Sequence, residues 1–194
     1  IGMYAMMYYF KQINKKTFFS FCKLDSKLGG HPDSTKLPIF NFSTGSLGHG
    51  LPNAVGYAYA LRQKKDKKRI ICLVGDQELM EGTTWESLHA IDNYKLHNLI
   101  LIIDRNKSDF RSIKFHNLKK KLSVFSNKIY EINGHNISSI DKAIKKCLKG
   151  KNFNIIIANT VKGYGIKTIA NNPAWHHRAP TAQELMKFKK ELKL

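Results

Sequence analysis

The stretch RIICLVGDQELMEG, residues 69–82, decides the fold class of this chain. Its first half is a continuous apolar run, which is typical of a strand covered on both faces. The run ends at Gly75 and Asp76, and the spacing of apolar residues predicts a helix over Glu81–Tyr94. A buried strand that leads directly into a helix indicates one unit of a parallel α/β sheet.

The same alternation of strands and helices continues on both sides of this stretch. Other predicted strands are NLILIIDRN (98–106), KIYEING (128–134) and FNIIIANTVKG (153–163). Predicted helices are a longer and a short one within 2–20, then 50–63, 137–148 and a last one capped by Thr181, with Glu184 three residues on. Right-handed crossovers would join these strands. The sequence therefore predicts an α/β fold, a parallel β-sheet sandwiched by helices, as one domain over residues 1–194.

Composition places the chain among globular proteins. It has 194 residues, of which 42% are hydrophobic, enough for a sizeable core. No apolar run approaches the roughly 20 residues of a membrane span, and no signal peptide pattern is present. Three unpaired cysteines fit a reducing compartment, so we expect a cytoplasmic protein.

The charge balance raises the question of a nucleic-acid partner. The chain has 33 Lys and Arg against 14 Asp and Glu, a net charge of +19. The lysines are scattered in pairs over loops and helix faces, without an aromatic RNA-binding motif or a zinc knuckle. We interpret them as a solvated surface. A basic nucleic-acid-binding domain is the alternative, and steeply salt-dependent binding would indicate it.

Polar side chains follow two of the predicted strands. Asp76 follows the first strand, and Asn106 follows the second strand, one helix and one strand further along the chain. Neighbouring parallel strands place such residues at the same sheet edge, where ligands bind. A carboxylate and an amide oxygen suit Mg²⁺, which takes its other ligands from phosphates and water. Taken alone, an Asp at a strand end is more often a helix cap.

A glycine-rich loop, STGSLGHG (43–50), precedes the helix over 50–63. Glycines allow close approach of the backbone to a ligand, and a helix amino terminus favours an anion. A plain turn explains this loop about as well.

Three longer stretches together resemble one family. They are HPDSTKLPIFNFSTGSLGHGLPNAVGYAYALR (31–62), GDQELMEGTTWESLHAIDNYKLHNLILIIDRN (75–106), and VKGYGI (161–166) followed by NNPAWHHRAP (171–180). In this order they resemble the diphosphate-binding domain of transketolases, in particular the separate amino-terminal subunit of split transketolases. The resemblance covers the chain from about residue 17 onward and implies thiamine diphosphate and Mg²⁺ as cofactors.

The resemblance also implies a set of cofactor and metal ligands. Asp76 and Asn106 would ligate Mg²⁺, with a backbone carbonyl near Ser108 as the third protein ligand. The other expected cofactor-binding residues lie at the strand end and in the glycine loop. They are Gly75 and Gln77 at the diphosphate, and Gly45, Ser46 and Leu47 around the aminopyrimidine ring.

Catalytic roles follow from the resemblance in the same way. His31 would face a substrate hydroxyl group next to the carbonyl. One histidine of WHHRAP would contact the diphosphate and the substrate, and the spacing leaves His176 and His177 both open. Glu81 and Glu86 match two carboxylates that couple paired active sites across a dimer.

Two further residues receive structural interpretations. We expect Glu78 to be an exposed acid in the first turn of a helix, where the helix dipole favours it. His135, in the NGHN stretch, is expected to be a loop or capping residue that helps the following helix to start.

The sequence departs from the family in ways that bear on activity. Gln77 stands where the family has glycine, the loop after Asn106 is short, and a preceding segment with two histidine motifs is missing, so we expect an amino-terminally truncated domain. The pyrimidine-binding domain would lie on a carboxy-terminal partner subunit, in a dimer or heterotetramer. With that partner, the resemblance implies transfer of a two-carbon ketol unit between sugar phosphates, in pentose or specialised sugar metabolism, and no turnover by this chain alone.

Two alternatives stay open at this stage. One is the α-type subunit of a keto-acid dehydrogenase, which the STGSLGHG and NNPAWHHRAP stretches disfavour. The other is a degenerate, non-catalytic remnant that binds a partner, which Gln77 and the missing segment would favour.

Overall fold

The computed structural model describes residues 1–107 and 116–194, which form two compact units. The first unit spans Ile1–Leu47 and the second Gly48–Leu194. Each unit has its own hydrophobic cluster. The single domain over 1–194 stays a prediction.

The second unit is built on a four-stranded, fully parallel sheet in the order β1-β2-β4-β3. The strands are β1 (Ile70–Gly75), β2 (Leu99–Arg105), β3 (Ile129–Asn133) and β4 (Asn154–Asn159). The helices of this unit are α3 (Gly50–Gln63), α4 (Gly82–Asn93), α5 (Leu118–Leu122), α6 (Ile137–Lys149) and α7 (Ala182–Glu191). Short 3₁₀ turns lie at Asp76–Met80 and Pro173–Trp175. The predicted α/β class with parallel strands is confirmed.

The main core lies on the sheet face that carries Cys72 and Val74 of β1. Alternate residues of β2 and β4 extend the same face, and the buried face of α3 packs against it through Leu51, Ala54 and Ala58. The helical spacing of apolar residues in 50–63 is therefore what places α3 on the sheet.

The other sheet face is only partly covered, which corrects the expectation for β1. Here Ile100 and Ile156 lie in a second cluster with α6, which packs over β3 and β4. Ile71 and Leu73 lie on the same face of β1 but are 48% and 68% exposed. The prediction that β1 is covered on both faces was wrong because β1 is an edge strand, beyond the reach of α6.

The first unit is a small helical cluster. It contains the predicted longer and short helices, α1 (Gly2–Tyr9) and α2 (Lys15–Phe18). Tyr4, buried in its core, also donates a hydrogen bond from its hydroxyl to the carbonyl of Gly29 at 3.0 Å. This contact fixes the segment that leads into the GHPD stretch.

Local capping explains where two of the later helices begin. At α7, Thr181 Oγ1 accepts a bond from the Glu184 N–H, and the Glu184 carboxylate accepts one from the Thr181 N–H, as the sequence predicted. At α6, the cap is Asn136, whose side chain accepts from Ser139 N–H. Within the described residues, no helix is long and apolar enough to cross a membrane.

Candidate functional site

Asp76 lies at the carboxyl edge of the sheet and is buried, with 7% of its surface exposed. The register pairs Gly75 at the end of β1 with Asp104 in β2, so the two strands end side by side. One carboxylate oxygen of Asp76, Oδ2, accepts a hydrogen bond from the backbone N–H of Lys107 at 2.8 Å. The segment that follows β2, including Asn106, is thereby held next to Asp76.

A second set of bonds ties the ends of β2 and β4 together. Asn106 Nδ2 donates to Asp104 Oδ2 at 3.1 Å, and Thr160 Oγ1 donates to the other oxygen of Asp104. The Asn106 amide is thus oriented with its nitrogen, and not its oxygen, toward Asp104. Ser108, the residue expected near the third metal ligand, lies outside the described residues.

Lys162 is a site residue that the sequence analysis missed. It follows β4 and is half-buried close to the two strand-end acids. Burial lowers the pKa of Lys162 from its ordinary value, and the negative charges of Asp76 and Asp104 oppose that effect. The available signal was its position, since a lysine within VKGYGI comes directly after a buried strand.

The structure distinguishes the two histidines that the motif spacing left open. His176 Nδ1 lies 2.5 Å from Lys162 Nζ, the ammonium on which the charges of Asp76 and Asp104 act. The ring of His177 packs edge-on against that of His176, with centroids 4.3 Å apart. Both histidines are exposed. Of the two histidines, His176 is therefore the one that lies next to Lys162.

His135 positions the loop that carries Lys162. Its Nε2 accepts a hydrogen bond from the Val161 N–H at 2.7 Å, and its ring stacks on Tyr164 at a centroid distance of 3.7 Å. The sequence analysis placed His135 in a loop or helix-capping role, but Asn136 caps α6. His135 instead connects the β3–α6 turn to the loop after β4, a contact between residues 26 positions apart.

The 3₁₀ turn after β1 carries the remaining acids. Glu78 is half-buried and accepts hydrogen bonds from the N–H groups of Gly48 and Gly75, both at 3.1 Å. Glu78 does lie in a first turn, that of the 3₁₀ helix, but the prediction that it is exposed was wrong because its side chain folds back toward the end of β1. Glu81 is half-buried at the junction between the turn and α4.

Two other predicted residues lie near this turn. Gln77 is half-buried within it. Glu86 is exposed on α4, one turn beyond Glu81. Neither position conflicts with the expected roles, which stay predictions.

In the first unit, the structure brings His31 and Gly45 together. Gly45 has φ +121°, and a Cβ at this position would lie 3.0–3.3 Å from side-chain atoms of His31. The Thr44 N–H donates to the carbonyl of Pro32 at 3.0 Å, which holds the GHPD stretch against the start of the glycine loop. Ser46 and Leu47 follow and are exposed. Glycine is thus needed at Gly45 for the His31 ring to occupy its place.

The donor set at the strand ends fits a magnesium–diphosphate group. It offers one buried carboxylate from Asp76, one amide from Asn106 and a nearby ammonium from Lys162. In residues 1–107 and 116–194, no three His, Cys, Asp or Glu side chains form a metal cluster. Such a site suits Mg²⁺ bound mainly through phosphate oxygens and water.

Comparisons with known proteins agree with this geometry. Residues 2–194 match the family described as transketolase, thiamine diphosphate binding domain. The chain is 40% identical over 174 residues to one subunit of the apulose-4-phosphate transketolase of Actinobacillus succinogenes, covering 87% of this chain and 63% of that protein. It is 35% identical over 161 residues to human transketolase, covering 79% of this chain and 25% of that protein.

A solved structure also resembles the chain over most of its length. The crystal structure of transketolase from Campylobacter jejuni superimposes with a TM-score of 0.83 at 30% identity. The superimposed region covers 92% of this chain and 30% of the Campylobacter jejuni chain. The chain thus spans less than two thirds of the length of these two related proteins.

Proposed function

This chain belongs to the transketolase family, as a thiamine diphosphate binding domain, and we propose that it acts as the amino-terminal subunit of a transketolase-type enzyme. It would bind thiamine diphosphate and Mg²⁺ at the carboxyl edge of its sheet. With a partner subunit that carries the pyrimidine-binding domain, it would transfer a two-carbon ketol unit between sugar phosphates.

The buried carboxylate of Asp76 is the observation that carries this proposal. A carboxylate that is 7% exposed at a strand end is costly unless charges or hydrogen bonds compensate it. Its bond to the Lys107 N–H fixes it beside the segment that contains Asn106. Asp76 and Asn106 would hold Mg²⁺, and the third ligand is expected from the backbone near Ser108.

Lys162 and His176 supply donors for an anionic group. Their nitrogens lie 2.5 Å apart beside the acidic strand ends, so a diphosphate bound there would meet both. His135 holds the Lys162 loop in place through Val161. Thiamine diphosphate, when bound, supplies the ring that adds to a ketose carbonyl and stores the electron pair.

The proposed catalytic roles fall to one histidine and two acids, which are His31, Glu81 and Glu86. His31 would orient a substrate hydroxyl group, and its ring lies beside Gly45, where a Cβ would crowd it. Glu81 and Glu86 would serve as the acids that couple active sites across an assembly. The remaining cofactor contacts are proposed for Gly75, Gln77, Ser46 and Leu47.

The relatives support a partner and a class of substrate. Two proteins, from Actinobacillus succinogenes and Phocaeicola vulgatus, are each named as one subunit of an apulose-4-phosphate transketolase. The word subunit supports a second chain for this protein too, and the phosphate in the name supports a phosphorylated sugar as substrate. The net charge of +19 would favour encounter with such anions.

Calorimetric titration with thiamine diphosphate tests the proposal. We expect binding that requires Mg²⁺ and that is abolished in Asp76→Ala. Thiamine, which lacks the diphosphate, should bind far more weakly. Asp92→Ala is the matched control because Asp92 is an exposed acid that pairs with Lys95 at 3.1 Å, away from the strand ends.

The titration is repeated with a pyrimidine-domain partner, because half of the cofactor contacts are expected there. No binding with that partner present would contradict the proposal and favour a non-catalytic remnant. Steady two-carbon transfer by this chain alone would contradict the need for a partner.

A further inference from the structure

We propose that the Glu78 carboxylate is a positioning residue that clamps Gly48, the first residue of the second unit, to the end of β1, and this inference rests on the proposed function. Glu78 has no counterpart among the metal, cofactor or catalytic residues proposed above. It joins two segments that lie 27 residues apart, at Gly48 and Gly75. Gly75 directly precedes Asp76, the expected metal ligand.

One end of the clamp is Gly48, whose backbone forms hydrogen bonds with an acid and a threonine. Its N–H donates to Glu78 Oε2 at 3.1 Å, and its carbonyl accepts from Thr83 Oγ1 at 2.8 Å. Its φ is +78°, and a Cβ there would lie 2.5 Å from Glu81 Cβ. Both the N–H and the carbonyl of Gly48 are therefore hydrogen-bonded, which fixes its backbone.

The other end is Gly75, the residue before Asp76. Its N–H donates to Glu78 Oε1 at 3.1 Å, so each carboxylate oxygen of Glu78 accepts from a different segment. The backbone carbonyl of Glu78 accepts from Thr84 Oγ1 at 2.6 Å, and Thr84 is fully buried. The clamp is thus attached to α4, which cannot shift without disturbing the core.

The chemistry of the clamp requires two acceptor oxygens on one side chain. Both partners are N–H donors, so both side-chain oxygens must accept. Glutamine offers one acceptor, and its NH₂ group would face the second N–H. Aspartate lacks the methylene needed to reach both glycines. Bonds to a charged acceptor are also stronger than neutral ones.

The function of the clamp is to set the distance between Gly48, near the end of the glycine loop, and Asp76. An additional negative charge beside a diphosphate site opposes anion binding, so a carboxylate here needs a structural reason. Its two bonds to backbone N–H groups provide that reason. A diphosphate bound at the end of β1 would therefore meet a backbone whose position is already fixed.

Glu78→Gln tests the clamp, with Glu191→Gln as the matched control. Glu191 also accepts two bonds, from Lys167 N–H at 2.6 Å and Thr168 Oγ1 at 2.7 Å, but it lies on α7. We expect the dissociation constant of Mg²⁺–thiamine diphosphate to rise about tenfold in Glu78→Gln and to change less than about twofold in the control. Unfolding midpoints of both variants show whether they are folded at the temperature of the titration.

Amide hydrogen exchange, measured without cofactor, provides a second and independent readout. In the unaltered chain the N–H groups of Gly48 and Gly75 should be protected. In Glu78→Gln at least one of them should exchange about tenfold faster, while amides in β2 stay protected. A purely global loss of stability would instead accelerate all amides together.

The two readouts separate the possible failures. Unchanged affinity in folded Glu78→Gln, or unchanged protection of both glycines, overturns the inference. If the unaltered chain binds no cofactor even with its partner but the glycine amides respond to Glu78→Gln, the proposed function fails and the clamp remains as a feature of the fold.

Discussion

Replacing Gly48 by alanine should destabilise the second unit strongly. The backbone φ of +78° disfavours any L-residue, at about 1–2 kcal/mol. The new Cβ would lie 2.5 Å from both Glu81 Cβ and Thr83 Oγ1, so two neighbours must move. Overpacking of this kind costs about 1–3 kcal/mol more. We therefore expect a loss of about 2–5 kcal/mol in the free energy of unfolding.

The same substitution at Gly56 provides the control for this prediction. Gly56 lies within α3, and a Cβ there would meet no atom within 4 Å. Alanine should stabilise the helix at this position by about 0.5–1 kcal/mol. The two variants carry the same added methyl group, but the predicted changes have opposite signs.

Urea denaturation followed by circular dichroism measures both variants. Gly48→Ala should unfold at a lower urea concentration and Gly56→Ala at a slightly higher one, with little change in the slope of either transition. A Gly48→Ala variant within about 0.5 kcal/mol of the unaltered chain would refute the described contacts at this glycine.

Four further predictions concern three other parts of the chain. Because burial lowers the pKa of Lys162, cofactor affinity should begin to fall at a lower pH than an ordinary lysine would give. The Lys162→Met variant should bind the cofactor weakly and without that pH dependence. Binding titrations across the alkaline pH range measure this, and identical pH profiles for the two proteins would contradict it. Since the charged form is the disfavoured one in the folded chain, the stability of the unaltered chain relative to Lys162→Met should rise, and not fall, as pH increases through the lowered pKa. A thiol reagent at mildly alkaline pH should label Cys22, which is exposed, and spare Cys72, whose pKa burial raises to about 12. Mass spectrometry of the digested protein identifies the labelled residue. Fast labelling of Cys72 in the folded chain would be inconsistent with its burial. Ile103→Ala, at a fully buried position in the central strand β2, should cost about 2–5 kcal/mol in denaturant titrations, and a cost under about 1 kcal/mol would argue against the described core.

Local sequence signals were sufficient for most helices and strands. Helical spacing located α3, and the reciprocal pair Thr181 and Glu184 located the start of α7. Apolar runs located the strands, because a strand buried in a parallel sheet has few polar residues. These signals are local, so a single sequence is enough to detect them.

The features that were predicted wrongly depend on contacts between distant segments. An apolar run indicates burial but does not show whether a strand is central or at an edge, so the exposure of Ile71 and Leu73 was not foreseen. Glu78 was expected to be exposed, but its carboxylate accepts bonds from Gly48 and Gly75, which lie in separate segments.

Part of the candidate site followed from the sequence and part did not. Asp76 and Asn106 became candidates because strand ends are the usual ligand positions in parallel sheets. Lys162 and the role of His135 were missed, because the bond from the Val161 N–H to His135 joins two loops that have no shared sequence pattern. Such contacts depend on strand order, which local residue preferences do not determine.

Anomalous diffraction from Mn²⁺, substituted for Mg²⁺ in crystals grown with thiamine diphosphate and the partner subunit, tests the central claim most directly. We predict one strong peak within coordination distance of an Asp76 carboxylate oxygen and the Asn106 amide oxygen, in contact with the diphosphate. Ordered cofactor with no manganese at Asp76, or manganese bound elsewhere on the chain, would contradict the proposed function of this site.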